Sequence, residues 1–285
     1  MELYISDLDG TLLNGDKEIS EYTRNTLNTL IASGINFSVA TARTAASTVK
    51  ILAGLDINIP VVLMNGVIVY DIKKAEYLKV EALDESTAWN VAGILKENKV
   101  TGFMYSIHDN MMKTYYENLD SKVLRDFHDE RVERYYKSFE KTDSFFEAIK
   151  DNQIIYFTLV DEHDRLTDVL SEVDKVPGIE FSFYRDIYQE NLWYLKIYSH
   201  KASKFNAVKY LREHYHYNRI IGFGDNLNDI PLFKACNEGY AVLNAVGELK
   251  KKAAGIIESN ISDGVARFIY DRENKPDKLM SGLME

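Results

Sequence analysis

Leu3-Tyr4-Ile5-Ser6-Asp7-Leu8-Asp9-Gly10-Thr11 reads as a short apolar strand that runs straight into an acidic turn. In open parallel sheets, ligands bind beyond the carboxyl ends of the strands. Two carboxylates one residue apart at such an end can share a hard cation, and magnesium takes an octahedral set of oxygens that includes several waters. A bare Asp-x-Asp is more often a solvated acidic turn. The strand before it and the Gly10-Thr11 after it turn the reading toward a site. Working outward, Ser20 is placed to cap a helix through Leu27, Leu30 and Ile31, with Gly34 as its stop signal. Ile35–Ala40 is a second strand, and Thr44 opens a helix to about Leu55. Val61–Met64 is a third strand, and Asn65-Gly66 before Val67–Tyr70 is a hairpin signal. Strands and helices that alternate in this way imply a parallel sheet covered on both faces.

The same alternation resumes near Ser203. Helices are expected over Ser203–His214, Asp229–Cys236 and Val246–Ala253, and strands over Arg219–Phe223, Tyr240–Leu243 and Gly255–Ile257. Asp263-Gly264 opens a last helix to Tyr270. From Arg272 onward the chain is polar, with Pro276 and Gly282, and reads as a frayed tail. The middle of the chain mixes helical stretches (Glu85–Lys96, Thr142–Lys150, Arg165–Val173) with aromatic-rich strands (Ile154–Val160, Ile179–Tyr184, Leu192–Ile197). The expected class is therefore α/β. A Rossmann-like, doubly wound parallel-sheet core (residues 1–82 and 198–285) would be interrupted by an inserted α+β cap domain (residues 83–197).

The bulk numbers agree with a packed globule, since the 285 residues are 46% hydrophobic and 27% charged. With 34 basic against 44 acidic residues, the formal charge is -10. Such a field opposes loose binding to nucleic acid or anionic lipid. A small anionic substrate remains open, because a metal ion and local lysines can invert the field inside one cleft. Cys236 is the one cysteine, so no disulfide forms within the chain, and its amphipathic setting reads as a buried hydrophobe. Met1–Ile5 lacks the basic start of a signal peptide, and no window approaches the ~18 apolar residues of a membrane span. A reduced, soluble, cytoplasmic protein is expected.

Three further stretches carry chemistry. Gly222-Phe223-Gly224-Asp225-Asn226-Leu227-Asn228-Asp229 also follows an apolar strand. Asp225 and Asp229 can face one cleft across its strand-to-helix turn, and Asn228 adds a neutral amide able to hold a phosphate. Helix capping is the ordinary alternative. Leu227 stands where a dinucleotide fingerprint needs its third glycine, and no Gly-Lys-Ser/Thr phosphate loop occurs. Thr41-Ala42-Arg43 offers a hydroxyl and backbone N–H groups at a helix start, a setting that binds phosphate. Ser203-Lys204 places a lysine in a first helical turn, against the helix dipole, which suggests an anionic partner.

Together, and in this order, the four motifs resemble the haloacid dehalogenase superfamily, and within it the Cof-like phosphatases with a large α/β cap. The resemblance spans the chain and includes Asn65-Gly66 and Asp263-Gly264. It implies a magnesium-dependent phosphatase acting on a small phosphorylated metabolite. Asp7 would be the nucleophile that forms an aspartyl-phosphate, and Asp9 the general acid/base. Thr41, Ala42, Arg43, Lys204 and Asn228 would bind phosphate. Asp7, the Asp9 carbonyl, Asp225 and Asp229 would hold Mg²⁺. Two departures stand out. Ala42 replaces the usual glycine, which is harmless unless that backbone needs a positive φ, and Phe205 replaces the glycine after Lys204. Lys201 is a second lysine nearby. Tyr115, Tyr116, Tyr135 and Tyr136 are either a lid lining or cap core. A phosphomutase of the same superfamily and a non-catalytic sensor on the same fold are the competing readings.

Overall fold

The computed structural model describes residues 1–135, 138–185 and 191–274, with no account of the side chains at 134 and 135. The stretch with Pro276 and Gly282, expected to fray, lies outside the described residues. The chain forms two compact units, one of Met1–Leu78 with the described residues from Ser203 onward, the other of Lys79–Ala202.

In the first unit, β1 (Glu2–Ser6) leads to α1 (Glu21–Ala32), where the Ser20 hydroxyl accepts the Thr23 N–H at 3.0 Å. β2 (Asn36–Val39) and α2 (Ala45–Ile51) follow, the helix ending earlier than its apolar pattern suggests because the chain turns out at Ala53-Gly54. β3 (Val61–Leu63) and β4 (Ile68–Asp71) form an antiparallel hairpin, extended to a three-stranded sheet by β5 (Glu76–Val80). The third strand is thus joined to the edge of the main sheet by a parallel bridge between Ala40 and Val62 and is not one of that sheet's five strands.

The second unit runs α3 (Glu85–Glu97), β6 (Gly102–His108), β7 (Met111–Tyr116), α4 (Lys122–Tyr135), β8 (Phe139–Lys141), α5 (Phe145–Asp151), β9 (Gln153–Glu162), α6 (His163–Val173), β10 (Ile179–Arg185) and β11 (Leu192–Ser199). Its sheet has the order β10-β11-β9-β6-β7-β8, antiparallel except for β7 beside β8. Val91, Leu95, Leu166 and Val169 of the helices pack on Phe157, Leu159 and Leu195 of the strands. Tyr115 belongs to that core, and the Tyr116 ring meets His128. Tyr135 is described only as the last residue of α4, and Tyr136 lies outside the described residues.

The chain then completes the first unit with α7 (Lys204–Tyr215), β12 (Arg219–Gly224), α8 (Ile230–Ala235), β13 (Glu238–Val242), α9 (Gly247–Lys250), β14 (Gly255–Ile257) and α10 (Gly264–Glu273). Its main sheet is fully parallel in the order β14-β13-β12-β1-β2. β1 sits between strands from the two ends of the chain, which makes the gap beside it the switch point of the sheet. α1 packs with α10 and α7 with α8. Asp263 joins the first pair by accepting the hydroxyls of Thr23, at 2.9 Å, and of Ser20. Burial pushes the Cys236 thiol up to about 12, so it stays protonated and unreactive at neutral pH.

An ion network closes the base of this sheet. Glu238 accepts from Arg272 at 3.0 Å, from the Tyr240 hydroxyl at 2.6 Å and from Arg219. Partial burial pushes its carboxyl up, but the hydrogen bonds from Arg272, Arg219 and Tyr240 outweigh this and hold it at about 2, against an ordinary 4.5. A depressed carboxylate stabilises the fold above its unfolded pKa and loses that contribution as pH falls through the folded value. Melting curves should therefore show acid destabilisation that begins near 4.5 and extends toward 2. Glu238→Gln should cost about 1 kcal/mol at neutral pH and flatten that slope. Parallel stability-versus-pH curves for the two proteins would contradict the assignment.

Candidate active site

β1 and β12 are neighbours in register, with Ser6 beside Phe223. The next residues along each strand are Asp7 and, after Gly224, Asp225. The Asp7 N–H continues the ladder by donating to the Phe223 carbonyl at 2.9 Å. The parallel pairing thus delivers two aspartates to one point beyond the strand ends. Asp229 joins them from the first turn after β12, and carboxylate oxygens of Asp7, Asp225 and Asp229 lie within 4.8 Å of one another. Gly10, at φ +78, lets the first turn pass this close, since a Cβ there would lie 2.5 Å from Asp225 Oδ2. Thr11 donates its hydroxyl to Asp225 Oδ1 at 3.1 Å.

Lys204 closes the cluster. Ser203 caps α7 by accepting the Asn206 N–H at 3.0 Å, which starts the helix so that the Lys204 side chain is buried. Its Nζ donates to Asp7 Oδ1 and to Asp229 Oδ1, each at 2.6 Å. An ammonium has three donors, so one is left for a further anion. Asp229 is committed on both oxygens, because its Oδ2 accepts the N–H groups of Asp225 at 2.9 Å and Asn226 at 3.1 Å.

The charges show the strain of this crowding. Asp7 is held well above the ordinary carboxylate range by burial, opposed by Lys204 and reinforced by Asp229 and Asp225. Burial, followed by Asp229, raises Asp225 to about 6. Burial works against the Lys204 charge, but Asp229 and Asp7 outweigh it and hold the ammonium above its usual value. The cluster of three carboxylates and one ammonium lacks positive charge. Hard oxygen donors of this kind suit a small divalent cation, and cation binding would relieve the like-charge repulsion that raises Asp7 and Asp225.

The remaining expected residues fall at different depths. Thr41 is buried, and its hydroxyl oxygen accepts the Arg43 N–H at 3.2 Å. Ala42 is not among the residues with positive φ, so the backbone there does not require the glycine it replaces. Arg43 forms a fork with Asp9, with Nε to Oδ2 at 2.7 Å and Nη2 to Oδ1 at 2.6 Å. Here the guanidinium engages a carboxylate, and the Asp9 side chain stays outside the cluster of three. Asn228 is exposed and donates its amide to Asn65 Oδ1 at 3.4 Å. Phe205 is 39% exposed and does not pack into the core. Sequence reasoning passed over Asn244, whose amide holds the Gly10 carbonyl at 2.7 Å. It also passed over Thr11 as a partner of Asp225. The Thr11 contact was implicit in the Asp9-Gly10-Thr11 turn, whereas nothing around Asn244 signals its role.

Known proteins are similar to this chain along nearly its whole length. The 5-amino-6-(5-phospho-D-ribitylamino)uracil phosphatase YitU of Bacillus subtilis is 26% identical, over 93% of this chain and 95% of its own. The pyridoxal phosphate phosphatase YbhA of Escherichia coli is 24% identical, over 93% and 96%. Among solved structures, a haloacid dehalogenase-like hydrolase from Bacteroides thetaiotaomicron superposes with a TM-score of 0.78 at 23% identity, over 95% of this chain and 98% of that one. Among the described residues, no helix is long and apolar enough to cross a membrane. The description haloacid dehalogenase-like hydrolase matches residues 4–269, and the chain belongs to that family.

Proposed function

We propose that this protein is a magnesium-dependent phosphatase that hydrolyses a phosphomonoester of a small metabolite by way of an aspartyl-phosphate on Asp7. The observation that carries the reading is the meeting of buried Asp7, Asp229 and Lys204 with half-buried Asp225 at the switch point of the sheet. Relatives named for pyridoxal phosphate and for a phosphoribityl uracil support the substrate class.

A phosphomonoester is an anion and Asp7 is an anionic nucleophile, so charge must be neutralised before they meet. Mg²⁺, held by Asp7, Asp225 and the Asp9 carbonyl, supplies that neutralisation when bound. Asp229, with both oxygens already occupied, positions Lys204 and the Asp225 turn. Lys204 spends two donors on Asp7 and Asp229 and offers the third to a phosphoryl oxygen. The Thr41 hydroxyl, the Ala42–Arg43 backbone and the Asn228 amide take the others. An Asp7 oxygen attacks phosphorus as the ester oxygen departs. Asp9 donates the proton to that oxygen, then removes one from the water that cleaves the aspartyl-phosphate. Arg43 grips both Asp9 oxygens and orients the carboxylate as base; for the acid step it would have to release the oxygen that carries the proton.

The test is a phosphate-release screen over sugar, nucleotide, pyridoxal and flavin phosphates, with and without Mg²⁺. Turnover that requires Mg²⁺ and is not sustained by Ca²⁺ is expected, because calcium accepts more ligands at longer distances. Full activity after chelation would refute the metal-assisted reading, and phosphoryl return to a second substrate hydroxyl would favour a mutase.

Asp9→Asn should lower turnover of alkyl phosphates by roughly 10²–10⁴-fold. The loss should be smaller for p-nitrophenyl phosphate, whose leaving group needs no proton. Equal losses on both esters would exclude the acid role.

A further inference from the structure

The turn Met64-Asn65-Gly66 has an unusual backbone beside the site. All three residues have positive φ, at 50, 56 and 99 degrees. Asparagine and glycine tolerate the left-handed region, but methionine has neither the freedom of glycine nor a side chain that can bond locally. Such a conformation persists only where its surroundings dictate it.

Those surroundings are the groups proposed above to bind the phosphate. The Asn65 N–H donates to the Thr41 carbonyl and the Met64 N–H to the Arg43 carbonyl, each at 3.0 Å. On its other side, Gly66 lies against the start of α7. A Cβ there would fall 2.1 Å from the Ser203 carbonyl oxygen and 2.8 Å from the Lys204 backbone nitrogen. The Asn65 side chain accepts the Asn228 amide at 3.4 Å. One three-residue turn therefore touches the Thr41–Arg43 loop, the root of Lys204 and the amide of Asn228. More than 120 residues of the second unit separate the first of these from the others along the chain.

We propose that Asn65 and Gly66 are positioning residues for phosphate binding. Gly66 sets how closely the Lys204 helix start approaches the Thr41 loop, and the Asn65 side chain holds the Asn228 amide toward the same anion. Neither residue touches the reacting atoms. The proposal rests on the phosphatase reading for its ligand but makes a separate claim about geometry.

Asn65→Gly separates backbone from side chain, because glycine keeps the left-handed conformation and discards the carboxamide. The readouts are thermal stability, calorimetric affinity for inorganic phosphate with Mg²⁺ present, and kcat and KM on p-nitrophenyl phosphate. Asn65→Gly should melt with wild type, bind phosphate about 3–10-fold more weakly and raise KM by a similar factor, with kcat within about twofold. Gly66→Ala, if folded by circular dichroism, should lose more than about tenfold in kcat through displacement of Lys204. Asn65→Gly with wild-type phosphate affinity and KM would overturn the proposal whether or not Gly66→Ala folds. A folded Gly66→Ala with wild-type kcat would also overturn it. Should the wild type bind phosphate yet release none from any ester, the phosphatase reading falls, and the calorimetric comparison still decides the role of the turn. A wild type that binds no phosphate defeats both.

Discussion

Asp7→Asn is expected to lower turnover by roughly 10⁴-fold or more while leaving the fold intact. The amide is nearly the same size as the carboxylate and still offers an oxygen to Lys204, but it cannot form the covalent intermediate. Stability should not follow activity. Burial holds Asp7 well above the ordinary carboxylate range, Lys204 opposes this, and Asp229 and Asp225 reinforce it. Removing its charge relieves the cost of burying it and the repulsion from Asp229 and Asp225, while Asp229 still pairs with Lys204 at 2.6 Å, so in metal-free buffer the variant should melt close to the wild-type temperature. Near-wild-type turnover in a folded variant would remove Asp7 as the nucleophile. A large fall in melting temperature would show that Asp7 has a structural role this account does not give it.

Lys204→Met should damage both properties. Methionine fills the space of the buried stem but leaves Asp7 and Asp229 without the ammonium that sits 2.6 Å from each. Breaking a buried pair in this way costs about 3–5 kcal/mol, which melting in chelator should reveal. Turnover should fall by roughly 10²–10³-fold, because a donor aimed at the transferring phosphoryl group is gone. Combining the change with Asp7→Asn should recover part of the lost stability and none of the activity. Strictly additive stabilities would mean the two groups do not interact as the geometry implies.

How far these groups could be foreseen depends on how local their causes are. Leu3–Ser6, Arg219–Phe223 and the cap Ser20 were legible because strand hydrophobicity and N-capping act within a few residues. Lys204 was legible as an anomaly, a cation where a helix dipole disfavours one, and its two buried carboxylates account for the anomaly. In the inserted unit, β9, β10, β11, α3, α5 and α6 left a periodic trace. The hairpin of β6 and β7 and the helix α4 did not. Lys122–Tyr135 is dense in charge, and Leu124 and Phe127 are its buried apolar side chains among those described. That spacing is too sparse to distinguish a helix from a polar loop. The fork between Arg43 and Asp9 was hidden for a different reason. An arginine next to a hydroxyl motif reads as a phosphate ligand until the fold shows which carboxylate lies within its reach. The left-handed Met64 could not be anticipated at all, since its turn is held by Arg43 at Met64, Thr41 at Asn65 and Ser203 at Gly66, which are remote or out of pattern.

The covalent step on Asp7 is the centre of the mechanism, and it can be seen directly. The protein would be mixed with p-nitrophenyl phosphate and Mg²⁺, quenched in acid within the first turnover and digested for mass spectrometry. One phosphoryl group should be found on the peptide that contains Asp7, lost on treatment with hydroxylamine and absent from Asp7→Asn. Accumulation should be greater in Asp9→Asn, where the water that clears the intermediate lacks its base. Turnover that proceeds with no acyl-phosphate on this peptide, or with the phosphoryl group on another residue, would contradict the account.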